Sequence, residues 1–198
     1  MFGLFLYGMA IAMMIRAALG IAPWDVLAQG ISIHSGIEFG WVSVMVSLVV
    51  LLLWIPIKQR LGIGTVLNAL LIGPWAQLWL WLIPEKQDDL VVRIGLFAMG
   101  LILLGIATGL YIGARFGPGP RDGLMTGLHK KLGVKIWIVR TSIEIVVLII
   151  GWILGGNVGL GTVVFALLVG PLVHFTMPLL HVPEPRTEPR SEPRTEPS

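Results

Sequence analysis

The chain has 198 residues, of which 56% are hydrophobic and only 13% charged, and its mean hydropathy is +0.87. A soluble domain of this size needs far more polar surface over its core, so the composition predicts a polytopic membrane protein. The net charge of +3 is no argument for nucleic-acid binding, because basic residues in membrane proteins mostly record orientation; the lack of cysteine excludes disulfides and thiolate metal sites.

The chain opens on MFGLFLYGMAIAMMIRAALG, with no basic leader and no small-residue cleavage site, which predicts a membrane helix, α1, over 2–19. GIAPWD then breaks it. Pro23 suits the first position of a new helix, α2, over 22–35. Two longer apolar segments follow, α3 over 39–57 and α4 over 63–83. A polar stretch, 85–95, precedes the same order again: α5 over 96–114, α6 over 119–132, α7 over 136–155 and α8 over 160–180. Residues 181–198 repeat a Pro/Glu/Arg unit with almost nothing apolar to bury, and are expected to be a disordered tail.

The recurrence is an internal repeat. GTVLNALLIGP at 64–74 matches GTVVFALLVGP at 161–171, and the same offset of 97 lays Gly20, Pro23 and Asp25 on Gly117, Pro120 and Asp122. Without a gap, 26 of the 73 pairs from 3/100 to 75/172 are identical. Shared apolar composition does not place Gly, Pro and Asp in register, so 1–84 and 96–180 are read as two repeats joined by the loop 85–95.

Within each repeat one segment is too short to cross. About 13 helical residues at ~1.5 Å each reach only ~20 Å, against a bilayer core of ~30 Å. If α2 and α6 nevertheless crossed, there would be eight spans and parallel repeats. If they are re-entrant or interfacial, each repeat has three spans and the two are inverted. Eight spans put five basic residues on each side. Six spans put Lys58, Arg60, Arg115, Arg121, Lys130, Lys131 and Lys135 on one side and only Arg16, Lys86 and Arg93 on the other. The second split obeys the positive-inside rule. The fold expected is therefore an all-α membrane protein of two inverted three-helix repeats, each with a short helix after its first span, and with both termini cytoplasmic.

GIAPWDVLAQG at 20–30, GPGPRDGLM at 117–125, VRTSIE at 139–144 and the twin G-T-x-x-x-A-L-L-x-G-P segments resemble the YczE/YyaS/YitT-like family of bacterial integral membrane proteins, nearest its actinobacterial branch. The resemblance covers roughly residues 2–180 and implies a bacterial inner-membrane location. It implies no substrate.

The polar residues inside the apolar segments are the candidates for function. Asp25 and Asp122 fall at the third position of their short helices, near the positive end of the helix dipole, and capping alone would explain them. The Gly and Pro ahead of them also let non-helical backbone enter the membrane where protein or water covers it, a recurring binding-site device in inverted-repeat transporters. Arg121 and Trp24 share one repeat position, so such a site would be asymmetric. Arg140 and Glu144 are four apart and share a helix face, either as a structural ion pair or as a functional one; their repeat partners are Ser43 and Ser47. Asn68, Gln77, Gln29 and His174 are weaker candidates that suit helix–helix hydrogen bonds equally well.

There is no Walker loop, no dinucleotide fingerprint, no nucleophile with a base, and no metal-ligand spacing among the histidines. A non-enzymatic protein without metal or cofactor is expected. Its leading reading is a small secondary transporter or permease for a small molecule or ion, with a site at Asp25, Arg121, Asp122, Arg140, Glu144 and Asn68. A non-transporting membrane scaffold or accessory protein and a channel are the alternatives. The lipid bilayer is its expected partner, a homodimer is open, and nucleic acid is not expected.

Overall fold

The repeat unit is visible in the helix boundaries. The computed structural model describes residues 1–85, 88–113 and 117–179. Its described residues form eight helices: α1 Phe2–Ala17, α2 Pro23–Ser35, α3 Phe39–Ile57, α4 Ile63–Leu82, α5 Leu90–Gly113, α6 Pro120–Leu132, α7 Ile136–Ile153 and α8 Leu160–Leu179. Pro23 and Pro120 each open a 13-residue helix, where a missing N–H costs nothing. Gly36 and Gly133 close those helices in the left-handed region, at φ 73° and 68°, which a residue with a Cβ adopts only under strain. The starts of α2, α3 and α4 recur 97 residues later at α6, α7 and α8.

The halves pack on each other reciprocally. α1 and α5, the leading helices of the two repeats, lie side by side and run antiparallel. Gly3 faces Ala107, Leu110 and Tyr111, whereas Gly100 faces Ala10, Met13 and Met14. At one end of this pair the Arg93 guanidinium, from the start of α5, donates to the carbonyls of Ala17 (2.8 Å) and Ala18 (2.7 Å) at the end of α1. α4 covers α1 and α8 covers α5, while the short helices change sides: α2 packs on α7, and α6 on α3.

Matched positions make these crossings. Gly30 meets Leu154, and its repeat counterpart Gly127 meets Ile57, the counterpart of Leu154. Gly151 lies against the backbone of Val26 and Leu27. At the equivalent crossing Trp54 fills the space over Gly123, and its indole N–H donates to the Pro120 carbonyl at 3.0 Å. Small residues let helix backbones approach closely where hydrophobic burial gives little drive between helices.

All the described secondary structure is helical. Four helical stretches are long and apolar enough to cross a membrane: Phe39–Ile57, Ile63–Leu82, Leu90–Tyr111 and Ile136–Ile153. Phe2–Ala17 and Leu160–Thr176 are apolar but shorter. α5 begins at Leu90, inside the stretch 85–95 expected to be loop. The Asp89 carboxylate caps it by accepting the Val91 N–H at 2.8 Å, and Val91, Val92 and Ile94 extend its apolar run. The tail at 181–198, and Lys86 and Arg115 of the charge comparison, lie outside the described residues.

Candidate functional site

The amino ends of α2 and α6 meet at the centre of the molecule. Asp25 and Asp122 lie in the first turns of their helices, as the sequence predicted, behind the N-cap residues Ala22 and Gly119. Asp25, only 2% exposed, accepts a hydrogen bond from Arg121 Nη2 at 3.0 Å. The same guanidinium lies 5.4 Å from the centroid of the Trp24 ring. A buried carboxylate is tolerable only with such a partner, and the aromatic face adds a second attraction for the cation.

Two cavities flank this pair. The larger, about 430 Å³, opens between α7 and α8; its lining includes Trp24, Arg121, Asp122, Arg140, Glu144, Phe165 and His174. Arg140 Nε donates to Glu144 Oε1 at 2.9 Å on its wall, with the two side chains 53% and 28% exposed. The smaller, about 60 Å³, is a chamber lined by Tyr7, Ser43, Ser47, Asn68, Thr108, Tyr111 and Asp122 among others. Tyr7, Thr108, Arg121 and Asp122 line both, and so form the partition between them. Asn68 and Tyr111 both line the chamber, and the Tyr111 hydroxyl donates to the Gly117 carbonyl at 3.0 Å.

The cavities occupy equivalent places in the two repeats. Arg140 and Glu144 on the large one correspond to Ser43 and Ser47 on the small one, Phe165 to Asn68, and Val169 to Ile72. Their difference in size follows from one interface. α3 and α4 are closed on each other: Gly40 and Gly73 touch through their backbones, and Gln77 Oε1 accepts the Gly40 N–H at 3.0 Å. Beyond Gln77, Arg16 donates to the Leu80 carbonyl and lies 3.7 Å from Glu85. At the equivalent place in the other half, Trp137 stands for Gly40, Gly170 has open space where Gly73 has Gly40, and His174 stands for Gln77. α7 and α8 stand apart there, leaving the cleft.

The structure thus brings together all six residues singled out in the sequence. Asp25, Arg121 and Asp122 form the centre, Arg140 and Glu144 the cleft wall, and Asn68 the chamber wall. His174 also reaches the cleft, whereas Gln29 does not: it accepts the Asn157 N–H at 2.7 Å and ties α2 to the α7–α8 connection. Sequence reasoning missed Tyr7, Tyr111 and Thr108. A usable signal was present, because the chain has only two tyrosines, and both line the chamber.

The profile of a family of unknown function (DUF6198) matches residues 1–178. An uncharacterized protein of Haemophilus influenzae is 38% identical over 92% of this chain and 85% of its own length. Two proteins of Bacillus subtilis are also similar. The uncharacterized membrane protein YczE is 32% identical over 89% of this chain and 82% of its own, and the uncharacterized protein YyaS is 27% identical over 90% of each. No solved structure matches. These relatives agree with the resemblance read from the GPGPRD and twin G-T motifs.

Proposed function

The chain belongs to the family of unknown function DUF6198, and we propose that it is a secondary transporter or permease for a small solute in the bacterial inner membrane. The reading has two inverted repeats with six crossings, α2 and α6 being re-entrant. The antiparallel contact of α1 with its counterpart α5 supports inversion, because equivalent spans of parallel repeats run the same way through the bilayer. The seven-to-three split of basic residues supports it independently.

One observation carries transport: equivalent cavities of about 430 and 60 Å³ in two related halves, one open and one closed. Two repeats of similar sequence can exchange conformations, so that opening passes from the α7–α8 interface to the α3–α4 interface. The central pair, Asp25 and Arg121, lies between the two openings. With both termini cytoplasmic, the first turns of α7 and the last turns of α8 face the cytoplasm, and the cleft is the inward opening. The large cavity has the size of a small-molecule site, and the chamber does not. Arg140, Glu144 and His174 supply polar contacts for the solute.

The test begins with purified protein and a solute library, scored by the shift in unfolding midpoint. Each stabilising solute is then measured for flux into protein-containing liposomes. A transporter gives saturable flux that Arg121→Met abolishes. Stabilisation without flux for every hit, in protein shown to be correctly inserted, overturns the reading in favour of a scaffold.

A further inference from the structure

The charge inventory around the central cavities does not balance. Asp25 is taken by Arg121 and Glu144 by Arg140, both within hydrogen-bond distance. Asp122 remains. It is exposed where the two cavities meet, and no described residue forms an ion pair with it. Among the described residues, three carboxylates against two guanidiniums leave one carboxylate without an arginine, and it stands on the partition where the chamber meets the cleft.

The chamber has unused oxygens. Ser43 is 3% exposed and Ser47 9%, and among the described residues neither hydroxyl has a hydrogen-bond partner, nor does that of Tyr7. Buried polar atoms normally find partners, whereas these three hydroxyls keep contact with the space of the cavity they line. All three line one cavity with Asp122, and a ligand in it would satisfy them together.

From this geometry we infer that the chamber is a binding site for a small monovalent cation, held by the Asp122 carboxylate and the Ser43, Ser47 and Tyr7 hydroxyls. Hard neutral oxygens around a carboxylate suit a hard cation. One carboxylate does not suit a calcium ion, which takes six to eight oxygens and usually several charges. An anion would meet Asp122, and among the described residues Arg121 and Arg140 each already hold a carboxylate. At about 30 Å³ per water, the chamber of about 60 Å³ holds roughly two waters, enough for an ion with part of its hydration and too little for an organic solute. The cation would thus bind beside the solute cleft and share Asp122 with it. Its role as a coupling ion rests on the proposed transport function, whereas its binding does not.

The experiment separates the two. Equilibrium binding of radioactive sodium to the purified full-length protein is measured at fixed pH, with choline replacing sodium as the control cation. Unfolding midpoints are recorded in sodium and in choline chloride at equal ionic strength. Wild type is expected to bind sodium saturably and to unfold at a higher temperature in sodium. Asp122→Asn is expected to abolish both effects. Ser43→Ala with Ser47→Ala, a change helices accept readily, is expected to weaken binding by about tenfold or more while the protein stays folded. Equal midpoints in sodium and choline overturn the site. So does unchanged sodium binding in the double serine variant, or a stabilisation that follows pH and ignores cation identity, which would make Asp122 a proton carrier instead. Sodium binding in protein that moves no solute keeps the site and removes only the transport role.

Discussion

Arg121 stacks on its own counterpart. Its guanidinium lies over the ring of Trp24, the residue that holds the same position in the other repeat, while its Nη2 donates to Asp25, the counterpart of Asp122. Two equivalent residues in contact sit where the halves exchange, so the central pair occupies the pseudo-symmetric middle of the fold. An asymmetric sequence is needed there, because two arginines or two tryptophans facing each other would give either repulsion or no charge partner for the buried Asp25.

The first prediction concerns that pair. Asp25→Asn leaves a cation facing an uncharged group in a largely buried place, and breaking a buried ion pair of this kind costs about 3–5 kcal/mol. The unfolding midpoint is expected to fall sharply. Asp25→Leu combined with Arg121→Met removes both charges and is expected to recover most of the loss. A double-mutant cycle on unfolding midpoints measures the coupling, and additive single effects would show that the pair is not coupled. Arg121→Lys is not conservative here, because lysine lacks the planar group that both stacks on Trp24 and pairs with Asp25.

The second prediction concerns the crossing of α3 and α6. A Cβ on Gly123 would overlap the Trp54 ring. Gly123→Ala is therefore expected to destabilise by about 1–3 kcal/mol, the usual cost of overpacking. Trp54→Ala empties the site, breaks the bond to Pro120, and is expected to cost about 3–5 kcal/mol. The two substitutions together should cost less than their sum, because each removes part of the other's fault. Guanidinium or heat unfolding in a fixed detergent measures all three.

Much of this architecture was legible in the sequence because its determinants are local. Pro23 and Pro120 set helix starts, Gly36 and Gly133 set ends, and the 97-residue offset placed each element on its counterpart. Asp25, Arg121 and Asp122 were legible for the same reason: they directly follow the Gly/Pro break that brings helix ends inward. The pairing itself was not. Nothing local shows that Arg121 bonds Asp25 and bypasses its neighbour Asp122, since this depends on α2 and α6 changing sides across the halves. The chamber was hard to read too: the two tyrosines hinted at it, but Tyr7 and Thr108 look like ordinary members of apolar helices until α1 and α5 are packed. The start of α5 at Leu90 was missed because Asp88, Asp89 and Arg93 made the segment look like loop, whereas Asp89 is a cap and Arg93 reaches back to α1.

The third prediction concerns orientation and state. The described chain has no cysteine, so a single introduced thiol reports its own surroundings. A thiol at position 88 is expected to react with an impermeant reagent from outside the cell, and thiols at 58 and 130 only after permeabilisation. Within the bundle, a thiol replacing His174 on the open cleft is expected to react faster than one replacing Gln77, whose side chain holds the closed α3–α4 interface. Reaction at 130 in intact cells without reaction at 88 would contradict the six-span orientation. Equal rates at 77 and 174 would contradict a closed and an open half.

The last prediction separates Glu144 from Asp25. Both carboxylates bind an arginine at about 3 Å, yet their surroundings differ. Asp25 is enclosed, whereas Glu144 and Arg140 are 28% and 53% exposed on the cleft. An exposed i,i+4 pair is worth about 0.3–0.5 kcal/mol, because water and salt screen it and two long side chains lose freedom to make it. Glu144→Gln is therefore expected to shift the unfolding midpoint far less than Asp25→Asn does. The repeat points the same way, since Ser43 and Ser47 occupy the equivalent positions and the fold closes around them without charge. If the Arg140–Glu144 pair serves the solute, Glu144→Gln should weaken solute binding or flux while the protein remains as stable as wild type. Stability measured by thermal unfolding and flux measured in liposomes give the two readings on one preparation. A variant as stable and as active as wild type would remove Glu144 from the site; a variant as unstable as Asp25→Asn would show that the pair is structural.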